Sequence, residues 1–357
     1  MKKKTILNVS SSVLAVVFGL LFGLLILLFA NPSEALAGLG IIIQGGFAGG
    51  MSGIGTTLYI ATPIIMTGLS VGFAFKTGLF NIGASGQFTM GAFFAVYIGV
   101  KWTFLPPSIH WLVALIGAAV GGALWGMIPG ILKAYRNVNE VIASIMMNYI
   151  GMYLVNYLIR TNIYDQLRNQ TQTIEKAATI PKAGLDELFH TTNLNIGFFI
   201  AILFVIIIYI LIEKTTFGFE LKACGMNRYA SRYAGINEKR SIVLSMLIAG
   251  ALAGVGGALL YLAGTGRYMQ VLDILAAEGF NGIPVALLGL SNPIGILFAG
   301  LFIAHISVGG TNLQLLDFVP EIIDIIIAAI IYCGAFSLIF KQLIEKIIKK
   351  NKKEESI

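Results

Sequence analysis

Long apolar runs separated by short polar connections set the pattern of this chain. About twenty apolar residues in a helix span the hydrocarbon core of a bilayer. Runs of that kind predict spans at Ser11–Ala30, Thr57–Phe75, Phe80–Val100, Trp111–Leu132, Val138–Ile159, Ile196–Ile212, Ser241–Gly264, Ile294–Val308 and Val319–Phe340. A shorter run, Phe280–Leu290, falls between them. The segment Ala35–Gly55 is apolar but loaded with glycine, and reads as interfacial or re-entrant. The expected fold is all-α: one polytopic membrane domain over residues 1–357, with about ten transmembrane helices and short or broken helices in both halves.

Composition agrees. The chain is 57% hydrophobic and 11% charged, where soluble domains carry roughly 25% charged residues. Its net charge of +7 is concentrated in the connections and tails, which a membrane explains without nucleic acid. Cationic excess marks the cytoplasmic side of a span. Lys76, Lys133 with Arg136, and the connection 213–241 carry that mark, as do the N-terminal lysines and the basic tail 341–357. Both termini are therefore expected in the cytoplasm, and the charge-balanced loop 160–195 outside. The uncharged run after Met-Lys-Lys-Lys is about twice the length of a signal-peptide core, so it reads as a retained first span.

The connection Glu213–Arg240 is built as a folded element. Asn227 can cap a helix Arg228–Ala234 by accepting from its first-turn N–H groups. Gly235 stands where such a helix ends with positive φ. Gly225 is expected to separate it from an amphipathic piece, Phe217–Cys224. A capped helix held on the inner face suits partner docking; a well-made connector is the plainer account.

One pattern recurs inside the membrane. Gly78-Leu79-Phe80-Asn81-Ile82-Gly83 is echoed by Glu278-Gly279-Phe280-Asn281-Gly282. Each Phe-Asn pair opens a short apolar stretch interrupted by glycine. Asn81 and Asn281 are expected to cap the helices that follow, with Pro284 in a first turn. Interrupted helices at matching places in two halves point to a transport pathway near the midplane; a coincidental dipeptide at two caps is the alternative. Ser85 and Gln87 follow Asn81, and Asn148 lies deep in its own span, where an amide has to face protein or water. The candidate pathway residues are therefore Phe80, Asn81, Ser85, Gln87, Asn148, Phe280 and Asn281. Glu140 and Glu321 sit near helix starts, which accounts for them. Asp324, slightly deeper, would serve a proton-coupled carrier. Asp273 and Glu278 read as solvated in an outer connection. The stripes Gly122/Gly126/Gly130 and Gly250/Gly254 read as helix packing.

What is missing narrows the function. The chain has no phosphate-binding G-x-x-x-x-G-K-[ST] loop, no nucleophile elbow and no H-E-x-x-H. His110, His190 and His305 are scattered, and Cys224 and Cys333 read as free thiols, so neither metal nor other cofactor is expected. A transport body without an engine, and with a shaped inner loop, suggests an engine supplied in trans.

Four stretches carry a resemblance: GLFNIGASGQFTMGAF (Gly78–Phe93), NEVIASIMMNYI (Asn139–Ile150), FGFELKACGMNRYASRYAGI (Phe217–Ile236) and GFNGIPVALLGLSNPIGIL (Gly279–Leu297). The chain resembles the permease subunit of bacterial ABC importers of the branched-chain amino acid and ribose type, and within them the nucleoside permeases. It departs at Ser85, where an acidic residue is usual, and around Cys224. The resemblance implies a multi-pass protein of the bacterial cytoplasmic membrane that is not itself an enzyme. It implies three kinds of partner: a cytoplasmic ATP-binding subunit, a second permease chain, identical or not, and an extracytoplasmic substrate-binding lipoprotein. Gly225, Asn227, Tyr229, Ala230, Tyr233 and Gly235 would then belong to the coupling element that docks on the ATPase. Phe80 and Phe280 would be placed to stack on a nucleobase. Import of ribose or other simple sugars, and a self-sufficient carrier using Asp324, remain the alternatives.

Overall fold

The computed structural model describes residues 2–316 and isolated positions between 318 and 346. Over them the chain forms α1 (Lys2–Ala30), α2 (Ala35–Gln44), α3 (Gly50–Lys76), α4 (Ala84–Lys101), α5 (Pro107–Arg136), α6 (Glu140–Asn162), α7 (Leu185–Leu188), α8 (Gly197–Lys214), α9 (Thr216–Met226), α10 (Arg228–Tyr233), α11 (Glu238–Tyr261), α12 (Ala277–Leu288) and α13 (Pro293–Asn312). Among the described residues the sheet is one hairpin, β1 (Tyr164–Asp165) with β2 (Gln170–Thr171). The protein is thus a polytopic helical membrane protein. Among the described residues α1, α3, α5, α6, α8, α11 and α13 are long and apolar enough to cross a bilayer; α4 has 18 residues, as many as α8 but less apolar, and α12 has 12. The expected last span, Val319–Phe340, lies mostly outside the described residues, as do Glu321, Asp324 and the bulk of the tail 341–357.

Two helices form the axis. In their most apolar stretches α3 is 83% and α11 72% buried, against 22% for α1 and 33% for α5 and α8. Lipid tails are as apolar as leucine, so helices in a membrane associate through close backbone approach rather than hydrophobic drive. The glycine stripes supply that approach. A Cβ at Gly250 would stand 2.2 Å from the Gly122 carbonyl oxygen, and one at Gly254 2.3 Å from that of Ala118. From the other side α4 brings Gly91, whose added Cβ would stand 2.2 Å from the Gly254 Cα. Three helices therefore meet with no side chain between them.

The segment Ala35–Gly55 is α2, a 3₁₀ turn Gly45–Phe47 and the first turns of α3, which begins at Gly50 rather than Thr57. His305 of α13 fastens the turn. The Gly46 N–H donates to His305 Nδ1 at 3.2 Å, which leaves Nε2 to donate to the Ile43 carbonyl at 3.0 Å. The bundle has two ends. One holds α9 and α10. The other carries residues 163–196, pinned to the bundle by main-chain bonds from Glu175 N to Gly99 O, Ile180 N to Leu262 O and Thr171 N to Met269 O.

Overpacking a close helix contact costs about 1–3 kcal/mol. Gly254→Ala is therefore expected to lower the melting temperature of the detergent-solubilised protein by several degrees. Gly40→Ala, with nothing within 4 Å of the new methyl group, is expected to leave it unchanged or slightly raised.

Candidate functional site

α4 and α12 begin side by side. Gly279 lies against Ser85 so closely that a Cβ on it would stand 2.3 Å from the Ser85 Cα, and Ser85 Oγ donates to the Ala276 carbonyl at 2.8 Å. Their depth is read from α6. Asn148 is eight residues past Glu140, or about 12 Å along the helix, and it grips the first turn of α4. It accepts from Gly86 N at 2.8 Å and donates to the Ile82 carbonyl at 3.0 Å. Both helices thus start inside the bundle. α4 runs to the end that carries residues 163–196. α12 runs the other way, with Gly282 against Thr67 and Ala286 beside Gly72.

A polar junction closes this meeting point. Asn81 and Gln87 exchange both amide hydrogen bonds, at 2.8 and 3.0 Å. Asn81 also donates to Ser70 Oγ at 3.2 Å. Asn81, Ser85, Gln87 and Asn148 are all at most 1% exposed. Their role follows from their depth: the chain between α3 and α4 leaves helical geometry where water is absent, so protein groups have to satisfy it. Ser144 Oγ, also fully buried, is among the described residues without a partner. It sits beside the same turn, since a Cβ at Gly83 would stand 3.2 Å from the Ser144 Cβ and 3.3 Å from Asn81 Oδ1.

Asn81 and Asn281 are not the caps expected from the sequence. The N-cap of α4 is Gly83 and that of α12 is Ala276, and neither makes a side-chain cap bond. Asn81 bonds an amide across the junction instead. α12 starts five residues earlier than expected, its N-cap being Ala276 instead of Asn281, which puts Asn281 and Pro284 inside the helix. Glu278 is likewise in its first turn, 3.9 Å from Arg267, rather than free in a loop. Phe80 is half-buried and stacks on Phe75, with ring centroids 5.2 Å apart and planes 21° apart. Phe280 and Asn281 are half-buried on α12 and stand outside the hydrogen-bonded junction. Gly279 of the second motif touches Ala84 and Ser85, just past the first.

At the α9–α10 end the local reading holds. Asn227 accepts from Tyr229 N at 3.1 Å and Ala230 N at 3.0 Å, and Gly235 has φ +83°. Arg228 holds α10 in place, bonding Glu238 at 3.1 Å and Asn137 at 3.3 Å. Tyr229 and Tyr233 are 68% and 95% exposed. Gly225 is a correction. It does not divide two pieces, because α9 continues through Met226 and the break falls at Asn227. Its missing side chain serves contact: a Cβ there would stand 2.7 Å from the Lys76 carbonyl oxygen and 2.9 Å from Gly78 N. Gly78, with φ +70°, returns the contact.

That Gly78–Gly225 contact escaped the sequence reading, as did Ser70, Ser144 and the pair Thr77–Ser245, whose hydroxyls hydrogen-bond beneath it. Glycines in two polar connections at the same end of the bundle were the available signal. Leaving a buried amide unsatisfied costs about 1–3 kcal/mol. Asn81→Leu and Gln87→Leu are therefore each expected to destabilise the protein by about that amount. The double variant should lose clearly less than the sum, as read from a double-mutant cycle of thermal melts.

Residues 53–335 match the family described as branched-chain amino acid transport system / permease component. The chain is 40% identical to the guanosine ABC transporter permease protein NupP of Bacillus subtilis, over 94% of this chain and 96% of that one. It is 37% identical to the nucleoside ABC transporter permease protein NupB of Lactococcus lactis, over 93% and 92%. It is 33% identical to the glucose ABC transporter permease protein TsgB13 of Haloferax volcanii, over 81% and 78%. The chain therefore belongs to the family of branched-chain amino acid transport system permease components.

Proposed function

We propose that this chain is the membrane-spanning subunit of an ATP-driven importer of nucleosides. It sits in the bacterial cytoplasmic membrane with both termini and the connection 213–241 in the cytoplasm, and residues 160–195 outside. A cytoplasmic ATP-binding subunit docks on α9 and α10 and performs the hydrolysis, so the chain itself is not an enzyme. A second permease chain completes the pathway, and an extracytoplasmic lipoprotein delivers the solute to the outer face. The names of NupP and NupB support the solute class. The glucose permease from Haloferax keeps sugars as the other outcome.

The observation that carries the reading is the backbone contact of Gly225 with Lys76 and Gly78. It joins a surface helix to the chain that leads, three residues later, into Asn81. The aromatic face of α10, with Tyr229, Ala230 and Tyr233 exposed, suits insertion into a groove of a partner. Closure of the ATPase pair would move α9 and α10 as one lever. Because Gly225 and Gly78 touch main chain to main chain, little of that motion is lost in side-chain rearrangement. The pathway residues Asn81, Ser85, Gln87 and Asn148, flanked by Phe80, Phe280 and Asn281, lie where the motion arrives.

Deleting Arg228–Gly235 is expected to abolish uptake while the protein still inserts and runs as a single species on size exclusion. Uptake of guanosine and of glucose, measured in liposomes with the ATP-binding subunit and the binding protein present, checks it. Retained accumulation without nucleotide hydrolysis would favour a self-sufficient carrier and end the proposal; uptake of glucose but not guanosine would reassign the solute.

A further inference from the structure

α6 has two faces. Ser144, Asn148 and Asn156 point inward, where Asn156 donates to the Leu272 carbonyl and to Asp273, each at 3.0 Å. The other face is open, and it differs from the open faces of neighbouring helices. α1 exposes Val17, Leu21 and Leu25, α5 exposes Ile116, Val120 and Leu124, and α8 exposes Leu203, Ile206 and Ile210. Those are the side chains lipid favours. α6 exposes aliphatic residues too, Ile142, Met146, Ile150 and Leu154, but among them stand Tyr149, Tyr153 and Tyr157, at 48%, 57% and 64%.

Residues four apart stand one above another on a helix, so the three rings form a ladder. Among the described residues none of their hydroxyls has a hydrogen-bond partner. Tyrosine is common where a span meets the headgroups, which suits Tyr157, five residues from Asn162, but Tyr149 and Tyr153 lie deeper. Tyr149 is nine residues from Glu140, and Tyr153 nine residues from Asn162. Each is thus about 13 Å from its helix end, near the middle of a hydrocarbon core about 30 Å thick. An unbonded hydroxyl facing hydrocarbon there is penalised.

We propose that Tyr149, Tyr153 and Tyr157 form one wall of the aqueous pathway and carry a nucleoside through it by stacking on its base. The proposal rests on the nucleoside-import reading and extends it to residues that reading did not use. Stacking suits a cargo whose base varies, because every base has a π-face. The hydroxyls then bond water or ribose. The ladder is also tied to the moving parts: on the opposite side of the same helix Asn148 holds the first turn of α4, which follows directly from the Gly78–Gly225 contact.

The test uses the assembled importer in liposomes, with Cys224→Ala and Cys333→Ala removing the native thiols. Tyr149→Cys, Tyr153→Cys and, as a lipid-type control, Val120→Cys are treated with a membrane-impermeant cationic thiol reagent. Positions 149 and 153 are expected to react and to be protected by saturating guanosine, while position 120 stays inert. Separately, Tyr153→Leu is expected to take up guanosine about tenfold more slowly than Tyr153→Phe, which keeps the ring. Inert cysteines at 149 and 153 would overturn the proposal, since lipid or the second permease chain then covers the face. Equal uptake by Tyr153→Leu and Tyr153→Phe would overturn the stacking. If the unaltered complex takes up no guanosine, the nucleoside reading fails, and with it the cargo assigned to the ladder. The labelling still decides whether the face is wet.

Discussion

A backbone amide in hydrocarbon has no water to bond, and the architecture follows from that constraint. Most of the chain meets it with helices. Among the described residues two stretches that reach into the bundle do not: residues 77–83, between α3 and α4, and residues 262–276, between α11 and α12. Each is non-helical and ends inside the bundle. Both survive because protein groups take the place of water. The first is held by Asn148 on the Ile82 carbonyl and by the reciprocal Asn81–Gln87 amides. The second is held by Asn156 on the Leu272 carbonyl and Ser85 on that of Ala276. The buried amides are thus structural necessities of broken helices before they are anything else. Their full satisfaction explains why they form a closed junction rather than an open, waiting site.

Glycine does two different jobs around that junction. Along α11 it removes side chains so that α4 and α5 can touch the same helix, which makes the axis stiff. At Gly78 and Gly225 it lets a peripheral helix rest on the main chain of a buried turn. Contacts of this kind transmit displacement well because rotamer changes have no part in them. Under the proposed coupling, stiffness in the axis and direct contact at the rim belong together, since a push applied at α9 would have little else to deform.

The spans were legible because the lipid constraint leaves few alternatives to an apolar run. The α10 unit was legible for another reason. Capping by Asn227 and the left-handed turn at Gly235 are decided within a few residues, and short-range rules reach that far. Where the sequence misled, tertiary partners had outbid local ones. Asn81 prefers an amide six residues on to the first N–H groups of α4, and α12 starts at Ala277 because Gly279 has to sit on Ser85. Gly225 looked like a break because a glycine's local meaning and its packing meaning share one letter. The tyrosines of α6 stood in the sequence at regular spacing, but spacing alone cannot tell a buried face from an open one.

The cap formed by residues 163–196 is gripped by main-chain atoms at Gly99, Leu262 and Met269. Main-chain grips are blind to side-chain identity. Replacing residues over the exposed part of that cap therefore costs the fold little, and its surface can drift over generations at a rate the helices beneath could not tolerate. A lineage is free to alter this face while inheriting the membrane body intact.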